Sequence, residues 1–310
     1  MCRRCFAAID GRSWIPAAVC ADGRSIAITE RMSLSGLASS WGDRAQLRSS
    51  TLTLTRESRI DVKSFTVQLN LHGDLDFFLR SAARGRSIER SLGEKTSVKD
   101  VIESFGVPHP EVDLILVNGQ PVDFDYALAN DADVELYPVV TDRQKFKYKP
   151  LQVASYNRFV VDGHLGKLAR DLRLLGFDVA YDPAAEDRQL LGVMERQNRA
   201  LLTRDRRLLM HAVVKTGYFP RSQNADEQTV EVIRRFDLLG SIIPFTRCLL
   251  CNAPLRKVSK AEVIERLEPL TKIYYEQFQR CTGCSQIYWP GSHFSKLQKR
   301  LEQIRANFAD

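Results

Sequence analysis

Apolar and polar residues alternate strictly in Phe65-Thr-Val-Gln-Leu-Asn-Leu71, a period of two that predicts a half-buried strand. A second short strand is expected over residues 87–92. Thr96-Ser-Val-Lys-Asp100 then opens a helix running to Phe105, with Val98, Ile102 and Phe105 on one face and Ser97 as its cap. Val112-Asp-Leu-Ile-Leu-Val117 followed by Asn118-Gly119 reads as a strand entering a tight turn, and residues 133–137 supply one more strand. No such pattern is sustained over residues 1–63, which are rich in Ser, Arg, Gly and Ala and read as a flexible extension. Cys2 and Cys5 form a CxxC there, but Cys20 is the one further thiol in that segment, so a complete metal site is not expected.

From residue 158 the rhythm changes to strand and helix in alternation. Phe159-Val-Val161 is a short buried strand ending at Asp162-Gly163. A helix over 164–175 follows, with Leu165, Leu168, Leu172 and Leu175 inward and Lys167, Arg170 and Arg173 outward; Gly176 closes it. Residues 177–181 form the next strand, a helix runs from about Asp187 to Gln197, and Ala200-Leu-Leu-Thr203 leads to Arg204-Asp205. A short helix, a weaker strand near Tyr218-Phe219 and a helix over 225–236 complete the series. This βαβαβ order implies a parallel sheet covered by helices. Residues 293–308 read as an amphipathic helix with Leu297, Leu301 and Ile304 inward.

The earlier order, strand–strand–helix–strand–strand within residues 64–141, is a β-grasp or ubiquitin-like pattern. Domains of that pattern often act as carriers through a Gly-Gly tail. This one ends Tyr137-Pro-Val-Val140, so docking to a protein partner, or masking in cis, is expected instead. The linker over 142–157 is basic with interleaved aromatic residues, either a solvated connector or a strip that touches RNA.

The bulk numbers exclude little. At 310 residues, with 44% hydrophobic and 27% charged positions, the chain has room for two or three soluble domains. No apolar run approaches the roughly 20 residues of a spanning helix, and Phe6-Ala-Ala-Ile9 ends too soon for a signal-peptide core, so a cytoplasmic location is expected. The charge distribution says more. Residues 1–63 hold ten Lys/Arg against six Asp/Glu, residues 64–141 six against thirteen, and residues 142–310 twenty-nine against nineteen. An acidic middle joined to a basic carboxy-terminal half suits a polyanionic partner for the latter, or simply a solvated surface.

Two constellations carry candidate chemistry. Cys248-Leu-Leu-Cys251 and Cys281-Thr-Gly-Cys284 have the spacing of two knuckles closing on one tetrahedral Zn²⁺, with a helix expected between them. Two disulfides are the alternative, against which stands the expected reducing compartment. A filled four-cysteine site has no open position, so its role would be structural.

The second constellation is acidic. Sites in parallel α/β sheets form beyond the carboxyl ends of strands, and Asp162 and Asp205 each follow a short apolar strand. Two such carboxylates repel unless a cation lies between them, and oxygen ligation suits Mg²⁺ or Mn²⁺. Each could instead cap the helix behind it. Asp187 is either a cap or a further ligand. Asp226 follows the weaker strand, where Asn224 to Glu227 already looks like a capping box, and Asp178 is a minor candidate within a strand. Lys167, Arg170 and Arg173 could position a nucleic-acid backbone or form a solvated face. Tyr288, Trp289 and His293 could stack on bases or pack the cysteine module onto the sheet.

The residues 159–178, Leu202-Thr-Arg-Asp205, Arg247-Cys-Leu-Leu-Cys-Asn252 and Tyr288-Trp-Pro-Gly-Ser-His293 together resemble the Mut-seven carboxy-terminal RNase family. The resemblance implies a PIN-like nuclease domain over 158–245 with a zinc ribbon and terminal helix over 246–310, behind a ubiquitin-like domain over 64–141. It implies hydrolysis of RNA through Mg²⁺ or Mn²⁺ held by three or four acids. Asp162 and Asp205 match the strand-end acids; Asp187 and Asp226 match by rough location. The rival expectation is a non-catalytic RNA-binding or adaptor protein with a structural zinc ribbon.

Overall fold

A computed structural model describes residues 64–139, 148–153 and 155–308. The extension over 1–63, with its Cys2–Cys5 motif, and most of the linker lie outside the described residues. Strand β1 (Phe65–Leu71) pairs antiparallel with β2 (Ile88–Leu92). A two-residue strand, β3 (Thr96–Ser97), leads into α1 (Val98–Ser104), and Ser97 caps that helix by accepting from Asp100 N at 3.1 Å. Strands β4 (Val112–Val117), β5 (Gln120–Val122), β6 (Ala127–Leu128) and β7 (Ala132–Pro138) follow. The mixed sheet has the order β2-β1-β7-β4-β5, with β1 and β7 parallel at its centre, and β3 pairs separately with β6. That is the expected β-grasp arrangement.

The second half begins with β8 (Arg158–Val161) and α2 (Gly166–Leu174), followed by β9 (Asp178–Tyr181) and α3 (Asp187–Gln197). Then come β10 (Ala200–Leu202), the four-residue α4 (Arg206–Leu209), β11 (Gly217–Tyr218) and α5 (Ala225–Arg235). All four strands are parallel, in the order β11-β10-β8-β9. The chain therefore steps outward from β8 to β9, jumps back over β8 to β10, and continues to β11. The direction reverses between β8 and β10, and a crevice opens at such a switch point beyond the strand ends. Gly176, at φ +98, turns the chain out of α2; a Cβ there would collide with the Ile243 carbonyl oxygen of a loop that runs alongside.

Alternation along the strands sends their side chains to two different cores. Phe159, Val161, Ala200 and Leu202 join Leu168 and Leu172 of α2 and Ile233 of α5 on one face. Val160 and Leu201 face the other way, into a core shared with Leu190 and Met194 of α3 and with Val67, Ile115, Val134 and Phe78 of the β-grasp domain. The ubiquitin-like domain is thus one of the layers that cover the parallel sheet. The segment after β10 holds only the four-residue α4 before β11, too short to cover that face alone.

Polar contacts fix this docking. Glu111, 2% exposed, accepts from Phe219 N at 2.6 Å and from Arg221 Nη2 at 2.8 Å. Burial pushes the Glu111 carboxyl upward, and its negative charge in turn raises Arg221 well above the usual guanidinium range. His109 Nε2 lies 2.6 Å from the Val214 carbonyl oxygen, and Phe219 meets Phe77 and Phe78 with ring centroids 5.8 and 5.6 Å apart.

The carboxy-terminal module comprises β12 (Leu255–Val258), α6 (Pro269–Tyr274), β13 (Phe278–Cys281), β14 (Ile287–Tyr288) and α7 (Ser292–Ala306). Its antiparallel sheet has the order β12-β13-β14, and α6 is the helix expected between the knuckles. Leu301 and Ile304 of α7 return to the core under α2 and α5.

Candidate active site and metal centre

Asp162 directly follows β8 and Asp205 follows β10, so the pairing of those two strands brings both acids to the switch point. Thr203 ties them. Its hydroxyl donates to Asp162 Oδ2 at 2.7 Å and accepts from Asp205 N at 2.9 Å, and the residue is fully buried. Asp205 uses Oδ1 to cap α4, accepting from Arg207 N at 2.7 Å and Leu208 N at 3.2 Å. A cleft of about 520 Å³ is lined by Asp162, Asp187 and Asp205 together with His164, Arg204 and Arg206. Asp187 opens α3, but the cap is Glu186, which forms a reciprocal capping box with Gln189. Asp187 is therefore exposed at the cleft without a capping task.

Arg204 Nη1 donates to the carbonyls of Pro220, Arg221 and Ser222, which holds the loop after β11 beside the cleft. Arg206 Nη1 donates to Phe78 O at 2.7 Å while its guanidinium lies over Phe78, 5.1 Å from the ring centre. Burial, with Arg84 and Arg221 nearby, pulls Arg206 below the usual guanidinium range. One wall of the cleft is in this way anchored to the ubiquitin-like domain.

Two of the sequence-derived assignments change. Asp226 does not line the cleft: it caps nothing, Asn224 capping α5 instead, and it pairs with Arg300 Nη1 at 2.5 Å. Arg300 also holds Asp171, so Asp226 helps fasten α7 to α2 and α5. Arg173 is not outward but 4% exposed. Its guanidinium donates to Val179 O at 2.9 Å and to the carbonyls of Leu249 and Leu250 at 3.2 and 3.0 Å, inside the first cysteine knuckle. Lys167 and Arg170 are exposed as expected.

Asp178 is a hub of ion pairs. It receives Arg199 Nη1 and Asn252 Nδ2, both at 2.7 Å, with Arg158 and Arg247 also near. Burial pushes its carboxyl upward, but the bonds from Arg199 and Asn252 and the surrounding guanidinium charges outweigh that and hold it below the usual carboxylate range. Asn252 Oδ1 accepts from Val179 N at 2.8 Å, so the knuckle caps the edge strand β9. Sequence reasoning missed Thr203, Arg173 and Asn252 as organising residues; the Asn directly after the second knuckle cysteine was the one signal present.

The four cysteine Sγ atoms all lie within 4.8 Å of one another. Cys248 and Cys284 are 3.6 Å apart and Cys251 and Cys281 3.3 Å, too far for S–S bonds of about 2.05 Å. A tetrahedral zinc with Zn–S near 2.3 Å separates its sulfurs by about 3.8 Å, so the cluster is compatible with zinc. Tyr288 settles into packing: its hydroxyl accepts from Leu249 N and lies 3.1 Å from Cys248 Sγ. Among the described residues this is the one group of three or more such ligands that compact.

The fold and site define an α/β domain with an acidic switch-point cleft, closed by a four-cysteine module and backed by a β-grasp layer. The family model of the Mut7-C RNAse domain matches residues 157–301, and that of Mut7-C ubiquitin matches residues 64–144. The chain belongs to the Mut-seven carboxy-terminal RNase family, with its ubiquitin-like domain ahead of the RNase domain. No curated protein matches the chain. Among solved structures, a Pyrococcus furiosus protein assigned as molybdopterin converting factor, subunit 1, is 23% identical over 24% of this chain and 99% of its own, with a TM-score of 0.20. SAMP1 from Haloferax volcanii is 17% identical over 24% of this chain and 97% of its own, with a TM-score of 0.21.

Proposed function

We propose that the protein is a metal-dependent endoribonuclease that hydrolyses RNA phosphodiester bonds in the switch-point cleft. The observation that carries this reading is the convergence of Asp162, Asp187 and Asp205 on one cleft in a chain of an RNase family. Asp162 and Asp205 would hold Mg²⁺ or Mn²⁺, with Asp187 assisting. The ion, when bound, supplies Lewis acidity to the scissile phosphate and to the attacking water. Thr203 keeps the Asp162 carboxylate turned to a fixed angle, and Arg206 offers the cleft a cation for the phosphate. In this reading residues 158–245 form a PIN-like domain, the cysteines hold a structural zinc, and the protein works in the cytoplasm. Among the described residues no helix is long and apolar enough to cross a membrane.

The test is cleavage of end-labelled single-stranded RNA with Mn²⁺ by the parent protein, Asp162→Asn and Asp205→Asn. Asparagine preserves the cap at position 205, so a fall of about 100-fold or more reports lost metal chemistry rather than a frayed α4. Equal activity in all three sinks the assignment. Binding of RNA without cleavage under any divalent ion would favour the adaptor reading.

A further inference from the structure

A second, larger concavity of about 940 Å³ lies where β12–β14, α7 and the far end of α2 meet. Its wall carries Arg170, Arg247, Lys257 and Lys296 against a single acid, Glu276, which Lys260 already neutralises at 2.5 Å. Tyr275 and Trp289 line the same concavity, each packed by part of its surface on the module's core and partly exposed. Three glutamines, Gln277, Gln279 and Gln286, add amides that can donate and accept. The first turn of α7 lines the same wall through Ser292, His293 and Phe294, and no side chain caps that helix. Its positive end adds to the field that favours an anion.

We propose that this groove seats the single-stranded RNA flanking the cleaved bond, with phosphates on Arg170, Lys257, Lys296 and the start of α7, and bases stacked on Trp289 and Tyr275. Cations and partly exposed aromatic rings in one groove suit a chain that has one negative charge and one flat ring per unit. An acidic peptide would use the charges but leave the rings unmatched. A duplex would hide its bases from them. Helix α2 runs from the cleft toward the groove, since it follows the cleft residues Asp162 and His164 and carries the groove residue Arg170. Asp162 and His164 stand before its first turn, while Lys167 and Arg170, three residues apart, share its exposed face. The inference rests on the proposed function only in taking RNA as the substrate.

The experiment uses full-length Asp205→Asn protein in magnesium-free buffer without chelator, which leaves the cysteine cluster loaded. A fluorescein-labelled 12-nucleotide single strand is titrated with this protein, and with the same protein also carrying Arg170→Glu, Lys257→Glu and Lys296→Glu. These three exposed side chains can be reversed without disturbing a core, which circular dichroism and zinc content verify. Binding is expected to weaken on the order of 10- to 100-fold, and the slope of log K against log salt to shrink by about 2, as three lost phosphate contacts require. Tyr275→Leu is expected to weaken single-strand binding without changing that slope. The idea is overturned if the triple variant binds within about two-fold of its parent, or if polyglutamate of equal length competes as well as RNA. Cleavage is read separately: an active Asp205→Asn beside a binding-defective triple variant removes the catalytic assignment and leaves the groove, and the reverse pattern removes the groove alone.

Discussion

The Thr203 hydroxyl reaches across from the end of β10 to donate to Asp162 at the end of β8, 2.7 Å away. The same oxygen accepts from Asp205 N, so one buried hydroxyl sets the spacing of two candidate metal ligands. Thr203→Val removes both bonds with little change in shape. It should cost about 1–3 kcal/mol of stability, because the Asp205 N–H loses its partner. RNA cleavage should fall further, on the order of 10- to 100-fold in kcat, as carboxylates lose their fixed angle. Thr203→Ser keeps the hydroxyl and should restore most of both. Parallel urea titrations and single-turnover cleavage would check this; equal activity in Val and Ser variants would show that the tie is only structural.

The Glu111–Arg221 pair makes the ubiquitin-like domain part of the sheet's packing rather than a passenger. Removing one partner of a buried pair leaves an uncompensated charge, so Glu111→Ala should cost about 3–5 kcal/mol. Asp74 Oδ2, 3.1 Å from Arg221 and half exposed, would recover part of that. Urea unfolding followed by circular dichroism, and by hydrogen exchange of amides in each domain, should give one coincident transition for both domains. Two separated transitions would contradict a shared core. Deleting residues 1–141 to expose a masked RNA surface should instead uncover Val160, Leu201, Leu209 and Phe219, and yield aggregated protein by size-exclusion chromatography.

What the sequence made legible was local. Period-two alternation located β1, an apolar run entering Asn118-Gly119 located β4, the Ser97 cap located α1, and CxxC spacing located the cysteine cluster. Strand order was not legible, because the jump from β9 back over β8 depends on how helices pack across the sheet. Arg173 shows the same limit at a single residue. Steps of three along a helix drift by roughly 60° each, so two steps from Lys167 carry Arg173 about 120° round, into the interior. Asp226 matched the acidic set by rough location alone, in the first turn of the helix after the weaker strand. Its side chain is claimed by Arg300, 74 residues later, which no spacing rule reveals.

Arg173 makes its two knuckle contacts with one fork, Nη1 reaching the Leu249 and Leu250 carbonyls while Nε and Nη2 hold Val179 O. A lysine cannot span both sites. Arg173→Lys should therefore release metal to a chromogenic chelator faster and bind it roughly 10- to 100-fold more weakly, the usual effect of losing support behind a ligand. The parent should carry one zinc per chain by atomic absorption, and Cys281→Ser none. Unchanged release kinetics in Arg173→Lys would mean that the knuckle holds its shape alone.

Asp178 gives the docking of that knuckle a defined acid limit. Its carboxyl sits below the ordinary 3.8 in the folded chain. As pH falls, the unfolded chain takes up this proton first, so the stabilisation is complete above about pH 4 and drains away as pH drops through the folded value. Asp178→Asn keeps an oxygen to accept from Arg199 but removes the titration. The variant should be less stable than the parent at neutral pH, and the difference should shrink steadily below pH 4. Thermal melts in low-salt buffers from pH 3 to 7 would reveal this convergence. A constant offset across that range would show that Asp178 contributes through shape and hydrogen bonding, and that its charge plays no part in holding Arg199, Arg247 and the knuckle to the sheet edge.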